Sequence, residues 1–294
     1  MNHSKVAIIG AGPAGIACAV QLKRYGIDSL LFEKNHTGGL LRNANLVENY
    51  IGFEKGISGR DLVEKFRKNL EDLDIKPIFE EVKKISFSGG NFHIETSNAL
   101  FISEILVVAS GTKPRMIDYP INDALQDKIF CEIVDLDKNN YTDKKFVIIG
   151  AGDAAFDYAL NLVNNYNISE VIILNRNNKA KCLPFLEKRA LETEKIKHLK
   201  NIKVENIEET DDKIVLSCTE EENNINIDAD CIMYAIGRDA CMYFLDDELL
   251  KESLNLQKER LLYFIGDVTN GNYRQTFIAA GDGIKTAMKI YNNY

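Results

Sequence analysis

Two stretches of this chain, 140 residues apart, follow one plan: KVAIIGAGPAGIACAVQLKRYG opens at Lys5 and KKFVIIGAGDAAFDYALNLVNNY at Lys144. Each has a short apolar run, a glycine turn, and then apolar residues at helical spacing, which predicts strand, turn and helix. In the first copy Gly10 makes the tight turn, Gly12 lets a pyrophosphate approach the backbone, and Gly15 lets the helix pack on the strand. The helix N-terminus, with free N–H groups and a favourable dipole, suits the anion. The next apolar run, SLLFE, ends on Glu33, eighteen residues after Gly15, where a carboxylate can accept hydrogen bonds from a ribose. In the second copy Gly150, Gly152 and Ala155 hold the three key positions. Its following strand, EVIILN, ends without a carboxylate and continues into Asn175, Arg176, Lys179 and Lys181. Positive charge there suits a ribose 2′-phosphate, which places NADPH ahead of NADH. The repeat therefore implies two dinucleotides.

The 294 residues are comfortable for two domains. Hydrophobic residues at 45% and charged residues at 27% are ordinary for a soluble protein, and no apolar run reaches bilayer length. The start of the chain lacks the pattern of a signal peptide, so the expected location is the cytoplasm. A net charge of −8 gives no footprint for nucleic acid, and the lysines of EKIKHLKNIK read as solvated helix surface. The six cysteines (18, 131, 182, 218, 231 and 241) contain no C-x-x-C pair and the four histidines are scattered, which argues against zinc. All the cysteines except Cys131 are expected to be buried small residues.

With these motifs in place the chain resembles the low-molecular-weight thioredoxin reductases and the thioredoxin-reductase-like ferredoxin/NADP reductases, over nearly its whole length. The similarity is carried by GAGPAG, by GGLLRNANLVENYIGF (38–53), by VVASGTKPR (107–115), by AIGRDA (235–240) and by YFIGDVTNGNYRQTFIAAGDG (263–283). The fold it implies is α/β, with two Rossmann-like, three-layer dinucleotide-binding domains. The NAD(P)-binding domain (113–238) is inserted between the two parts of the FAD-binding domain (1–112 and 239–294). The resemblance further implies FAD contacts at Gly10, Gly12, Pro13, Ala14, Gly15, Glu33, Lys34, Gly39, Leu40, Asn49, Ser110, Gly111, Asp267, Arg274, Gln275 and Thr276, and a cofactor contact at Gly237 in the second crossing between the domains. Nicotinamide dinucleotide contacts are implied at Gly150, Gly152, Asp153, Ala154, Ala155, Arg176 and Lys181. A homodimer is expected by the same analogy.

The chain departs from the family where its C-x-x-C-D should stand. The sequence reads Cys131-Glu-Ile-Val134-Asp135, so the first cysteine and the acid remain and the second cysteine is valine. One thiolate must attack a partner disulfide while another resolves the mixed disulfide, and one cysteine cannot do both. The family's H-R-R-x-x-x-R is also reduced, here to NRNNKAK. The function expected is an FAD-dependent NAD(P)H oxidoreductase that delivers electrons without a dithiol relay, to ferredoxin, flavodoxin, quinone or oxygen. An alternative is a thioredoxin reductase-like disulfide reductase using Cys131 with a cysteine from elsewhere, from a thioredoxin-like redox partner for instance, or with a low-molecular-weight thiol, and with Asp135 as acid. An alternative from another class is a non-catalytic flavin-binding sensor or assembly subunit.

Overall fold

The computed structural model describes residues 2–116, 123–136, 141–210, 213–221 and 223–293. Among them the α-helices are α1 (Pro13–Arg24), α2 (Gly59–Asp72), α3 (Asp153–Asn165), α4 (Pro184–Leu191), α5 (Asp247–Lys258) and α6 (Thr276–Tyr291). The chain divides into two compact units. The first comprises Met1–Arg42, Val47–Lys113 and Asp239–Tyr294, and the second Asn43–Leu46 and Pro114–Arg238.

The first unit is built on a seven-stranded sheet in the order Ile78–Phe79, Ser29–Glu33, Asn2–Ile9, Leu100–Val108, Asn91–Thr96, Val82–Ser88, with Leu262–Phe264 also paired to Leu100–Val108. The strand Asn2–Ile9 is parallel to both its neighbours, so its carboxyl end, where Gly10 stands, lies where connections diverge to either side. Val6 and Ile8 face α1 and α6 in one core, while Ala7 and Ile9 face a second core with Ile85, Phe92, Phe244 and Leu249. Burial on both faces explains why this strand reads as an unbroken apolar run.

The second unit repeats the plan with Ile196–Lys200, Glu170–Asn175, Lys145–Ile149, Cys231–Tyr234 and Ile129–Phe130 in a wholly parallel sheet. Phe146 and Ile148 pack on α3 and α4, and Val147 and Ile149 pack on a three-stranded antiparallel sheet of Ile202–Thr210, Lys213–Glu220 and Asn223–Ala229. The third layer is therefore strands. The reading of EKIKHLKNIK as helix surface is overturned: Ile196–Lys200 is the edge strand, in register with Val171–Asn175, and Ile202 opens the antiparallel layer. From Ile202 on, the exposed Lys203 and Glu205 alternate with the buried Ile202 and Val204, a period of two that belongs to a strand, whereas Ile196–Lys200 is a strand by its pairing. Of the cysteines, 18, 218, 231 and 241 are buried, but Cys182 is only half-buried, because it lies in the loop leading to α4.

Candidate functional site

Each unit carries a glycine turn between a central parallel strand and a helix, and in each the backbone geometry requires glycine. Gly10 has φ +106°, and a Cβ there would stand 2.5 Å from the carbonyl oxygen of Ala109. A Cβ on Gly15 would stand 1.9 Å from the Gly10 oxygen, whereas one on Gly12 would meet nothing within 4 Å. The first and third glycines are thus fixed by close packing and the second by open space above it, the room a phosphate needs. Gly12 is the N-cap of α1 and no side chain caps it, so the first N–H groups of the helix are left for a ligand.

Glu33 closes the other side of this turn. One of its carboxylate oxygens accepts from the Ala11 N–H at 3.0 Å and the other from the Asn35 N–H at 3.0 Å. Each oxygen keeps a lone pair for a further donor such as a ribose hydroxyl. Glu33 and Lys34 line a cleft together with Ile9, Gly10, Ser110 and Tyr243. The Ser110 Oγ donates to the Cys241 carbonyl at 2.6 Å and the Cys241 N–H to the Gly111 carbonyl at 3.0 Å, which fixes the cleft floor. Gly39 is placed beside the turn, where its Cβ would stand 3.4 Å from the Gly12 Cα, and the Gly38 N–H donates to Ala11 at 2.7 Å. Leu40 follows in the same short 3₁₀ turn, Gly39–Asn43.

The C-terminal segment brings a second helix end to this turn. Gly283 of α6 lies so close to α1 that a Cβ would stand 2.2 Å from the Ala14 oxygen, and at the other end Tyr25 and Tyr291 stack with centroids 4.2 Å apart. The two helices therefore run in the same direction, and the positive ends of both dipoles point the same way. Gly266 abuts Ala14, where its Cβ would stand 2.8 Å from that methyl, so the turn carrying Asp267 lies against the start of α1. Asp282 pins that turn by accepting from the Gly266 N–H at 3.2 Å and the Asn270 amide at 2.6 Å. The Asn49 amide donates to the Gln275 side-chain oxygen at 2.8 Å, next to Arg274 and to Thr276 at the head of α6, whose N-terminus has no side-chain cap.

In the second unit Gly150 has φ +119°, and a Cβ there would stand 2.3 Å from the Ala235 oxygen. Gly152 again caps its helix without a side-chain bond, and Ala155 is fully buried at the third position. The loop after the next strand folds back on the turn: the Lys181 N–H donates to the Ala151 carbonyl at 2.8 Å, and the Leu183 N–H to the Asp153 carboxylate at 2.8 Å. Ala154, Arg176 and Lys181 are exposed beside this turn. The Asn175 side-chain oxygen accepts from the Asn177 N–H at 3.1 Å, which turns the chain there. Gly237, at φ +110°, accepts from the Arg115 N–H at 3.0 Å, where the chain returns toward the first unit.

Cys131 lies in the second unit with its Sγ 3.2 Å from the Met116 Sδ, and burial pushes its thiol up to about 11. Asp135 is exposed, four residues along. Around them is a network the sequence reading missed. Arg238 pairs with Glu132 at 2.8 Å, and the Asn43 amide donates to the same carboxylate at 3.3 Å. Asn43 also accepts from the Val134 N–H at 3.1 Å through its side chain and from the Asn161 amide at 3.1 Å through its carbonyl. Asp157 accepts from the Asn45 N–H at 3.0 Å, and its burial raises its carboxyl to about 6. The available signal was a polar stripe at four-residue spacing, Asp153, Asp157, Asn161 and Asn165, on an otherwise apolar α3.

The family described as pyridine nucleotide-disulphide oxidoreductase matches residues 4–283. The chain belongs to this family. Among curated relatives of this family member, a thioredoxin reductase of Chlamydia pneumoniae is 28% identical, with 98% of each chain covered. The 34.2 kDa protein in the rubredoxin operon of Clostridium pasteurianum is 27% identical over 96% of this chain and 94% of its own. Among solved structures, the thioredoxin reductase of Lactococcus lactis superposes with a TM-score of 0.84 at 25% identity, covering 98% of both chains. The protein is thus an FAD-dependent NAD(P)H oxidoreductase of the thioredoxin-reductase-like type, with FAD and NADPH as its cofactors. Its residues fit those groups: space is open above Gly12, a Cβ on Gly152 would make only ordinary contact at 3.8 Å with the Lys181 oxygen, and the helix N-terminus at each turn has no side-chain cap. Among the described residues no helix is long and apolar enough to cross a membrane, and no cluster of side chains could hold a metal ion.

Proposed function

We propose that this oxidoreductase takes electrons from NADPH and delivers them, without any dithiol of its own, to a one- or two-electron acceptor such as ferredoxin, flavodoxin or a quinone. The first glycine turn with Glu33, Asp267 and the head of α6 holds FAD, and the second turn with Arg176 and Lys181 holds NADPH. Bound FAD supplies the redox chemistry, accepting a hydride equivalent from reduced nicotinamide and releasing electrons singly or in pairs. The chain's own groups bind and orient. Two parallel helix ends place partial positive charge toward the pyrophosphate, Glu33 takes a ribose hydroxyl, and the 2′-phosphate is met by the exposed Arg176 with its planar guanidinium and by Lys181 as a point charge.

The observation that carries the dithiol-free reading is the state of Cys131. Val134 occupies the place of a resolving thiol, and the remaining thiol, pushed up to about 11 by burial and packed on Met116, is not a thiolate near neutral pH. The test is Cys131→Ser assayed with NADPH against ferredoxin, flavodoxin, quinone and disulfide acceptors. Unchanged turnover with a non-disulfide acceptor supports the reading. A disulfide substrate turned over only by the protein with Cys131 intact would sink it and favour a thioredoxin-like partner.

A further inference from the structure

Three aromatic side chains line the cleft beside the first glycine turn, and two of them have no free face: Phe32 is 1% exposed and Phe244 is 4% exposed. Tyr243 is 54% exposed, so among the described residues of the cleft its ring is the aromatic surface open to a ligand. That ring is held in place. Its hydroxyl donates to the Glu81 carboxylate at 2.6 Å, and its edge meets Phe244 with centroids 5.6 Å apart and planes at 80°. Glu81 is held in turn by an ion pair with Lys83. Tyr243 and Glu81 stand 162 residues apart in sequence, and main-chain bonds join their segments. The Ile85 N–H donates to the Phe244 carbonyl at 2.7 Å, and the Asp246 N–H to the Ile85 carbonyl at 3.1 Å. The Leu245 N–H donates to the Met242 carbonyl at 3.1 Å, which closes a turn around Tyr243. A half-exposed side chain fixed at both its hydroxyl and its ring edge has given up rotamer freedom before any ligand arrives, which is preorganisation for a flat group.

The flat group follows from what else lines the cleft. Glu33 keeps lone pairs for a ribose hydroxyl, and a base carried on that ribose falls within the same cleft as Tyr243. We propose that Tyr243 recognises the adenine of FAD by stacking, and that Glu81 sets the plane of its ring. The glycine turn and Glu33 grip pyrophosphate and ribose, whatever the base; Tyr243 is the side chain that reads the base. It thereby favours FAD over FMN, which ends at its phosphate and has no adenosine. The inference rests on the placing of FAD at the first glycine turn and is independent of the electron acceptor.

The experiment equilibrates FAD-loaded protein with mixtures of FAD and FMN and counts the bound flavins by chromatography, while flavin fluorescence on dilution gives the FAD dissociation constant. Tyr243→Leu is expected to raise that constant at least about tenfold and to lower the preference for FAD over FMN by the same factor, because only the adenine end loses a contact. Tyr243→Phe keeps the ring and loses the Glu81 bond, so a change of about threefold is expected in both readouts. Tyr243→Trp supplies another flat ring and is expected to bind FAD within about threefold of the wild type. Glu33→Ala separates this inference from the reading beneath it. If Glu33→Ala lowers the preference while Tyr243→Leu leaves it unchanged, the adenosine lies in the cleft and the Tyr243 proposal alone is overturned. If neither variant changes the preference, the placing of FAD at this turn fails and the proposal with it. A Tyr243→Leu protein that loses FAD and FMN alike also overturns the proposal, since a merely structural side chain would weaken both.

Discussion

At Gly150 and Gly10 an added methyl would stand 2.3 Å and 2.5 Å from a carbonyl oxygen of a neighbouring strand end, and both φ values are positive. Alanine at either is expected to cost at least about 2 kcal/mol of stability and to abolish binding at that turn alone. Gly150→Ala should keep FAD and lose nicotinamide affinity, and Gly10→Ala should lose flavin, as read by cofactor content and NADPH titration. Asp157 gives a pH signature. Burial raises its carboxyl from 3.8 to about 6, so the folded state holds the proton more tightly than the unfolded chain. Its contribution to stability is present below pH 3.8 and is lost as pH rises through about 6, a decline of roughly 3 kcal/mol at about 1.4 kcal/mol per unit. Asp157→Asn keeps an oxygen for the Asn45 N–H and should flatten that decline, making the variant the more stable protein at pH 7 in denaturant titrations.

At the scale of elements, α1 and α6 touch closely because Gly283 brings no side chain between them. Gly283→Ala is expected to destabilise by about 1–3 kcal/mol through overpacking, and to loosen flavin retention because it displaces the head of α6. Thermal melts with and without added FAD should show both effects. What was legible in the sequence was the local part of this architecture. A glycine turn between a strand and a helix announces itself within twenty residues by its spacing, although the carbonyls that crowd Gly10 and Gly150 come from the distant Ala109 and Ala235. Spacing also announces Glu33, whose bonds go to Ala11 and Asn35 nearby. The edge strand Ile196–Lys200 was not legible, because its charge pattern resembles a helix surface and only its pairing with Val171–Asn175 makes it a strand. The network of Asn43, Asn45, Glu132, Asp157 and Arg238 was hidden for a related reason: its bonded pairs, Asn43 with Glu132, Asn45 with Asp157 and Arg238 with Glu132, lie about ninety residues or more apart in sequence.

For the whole molecule, the account rests on two dinucleotide-binding units of one design and on a missing thiol. The design sets which cofactors the chain uses; Val134 in place of a second thiol is what the proposed electron path builds on. A family member with a redox dithiol stores two electron pairs, one on flavin and one on sulfur, while the proposed function gives this chain a place for one pair only. The most direct measurement is an anaerobic titration of the FAD-loaded protein with NADPH, following flavin absorbance and free thiols together. The account predicts complete bleaching at one equivalent of NADPH per flavin with the thiol count unchanged. Uptake of a second equivalent with new thiols appearing, or a flavin that NADPH leaves oxidised, would contradict it.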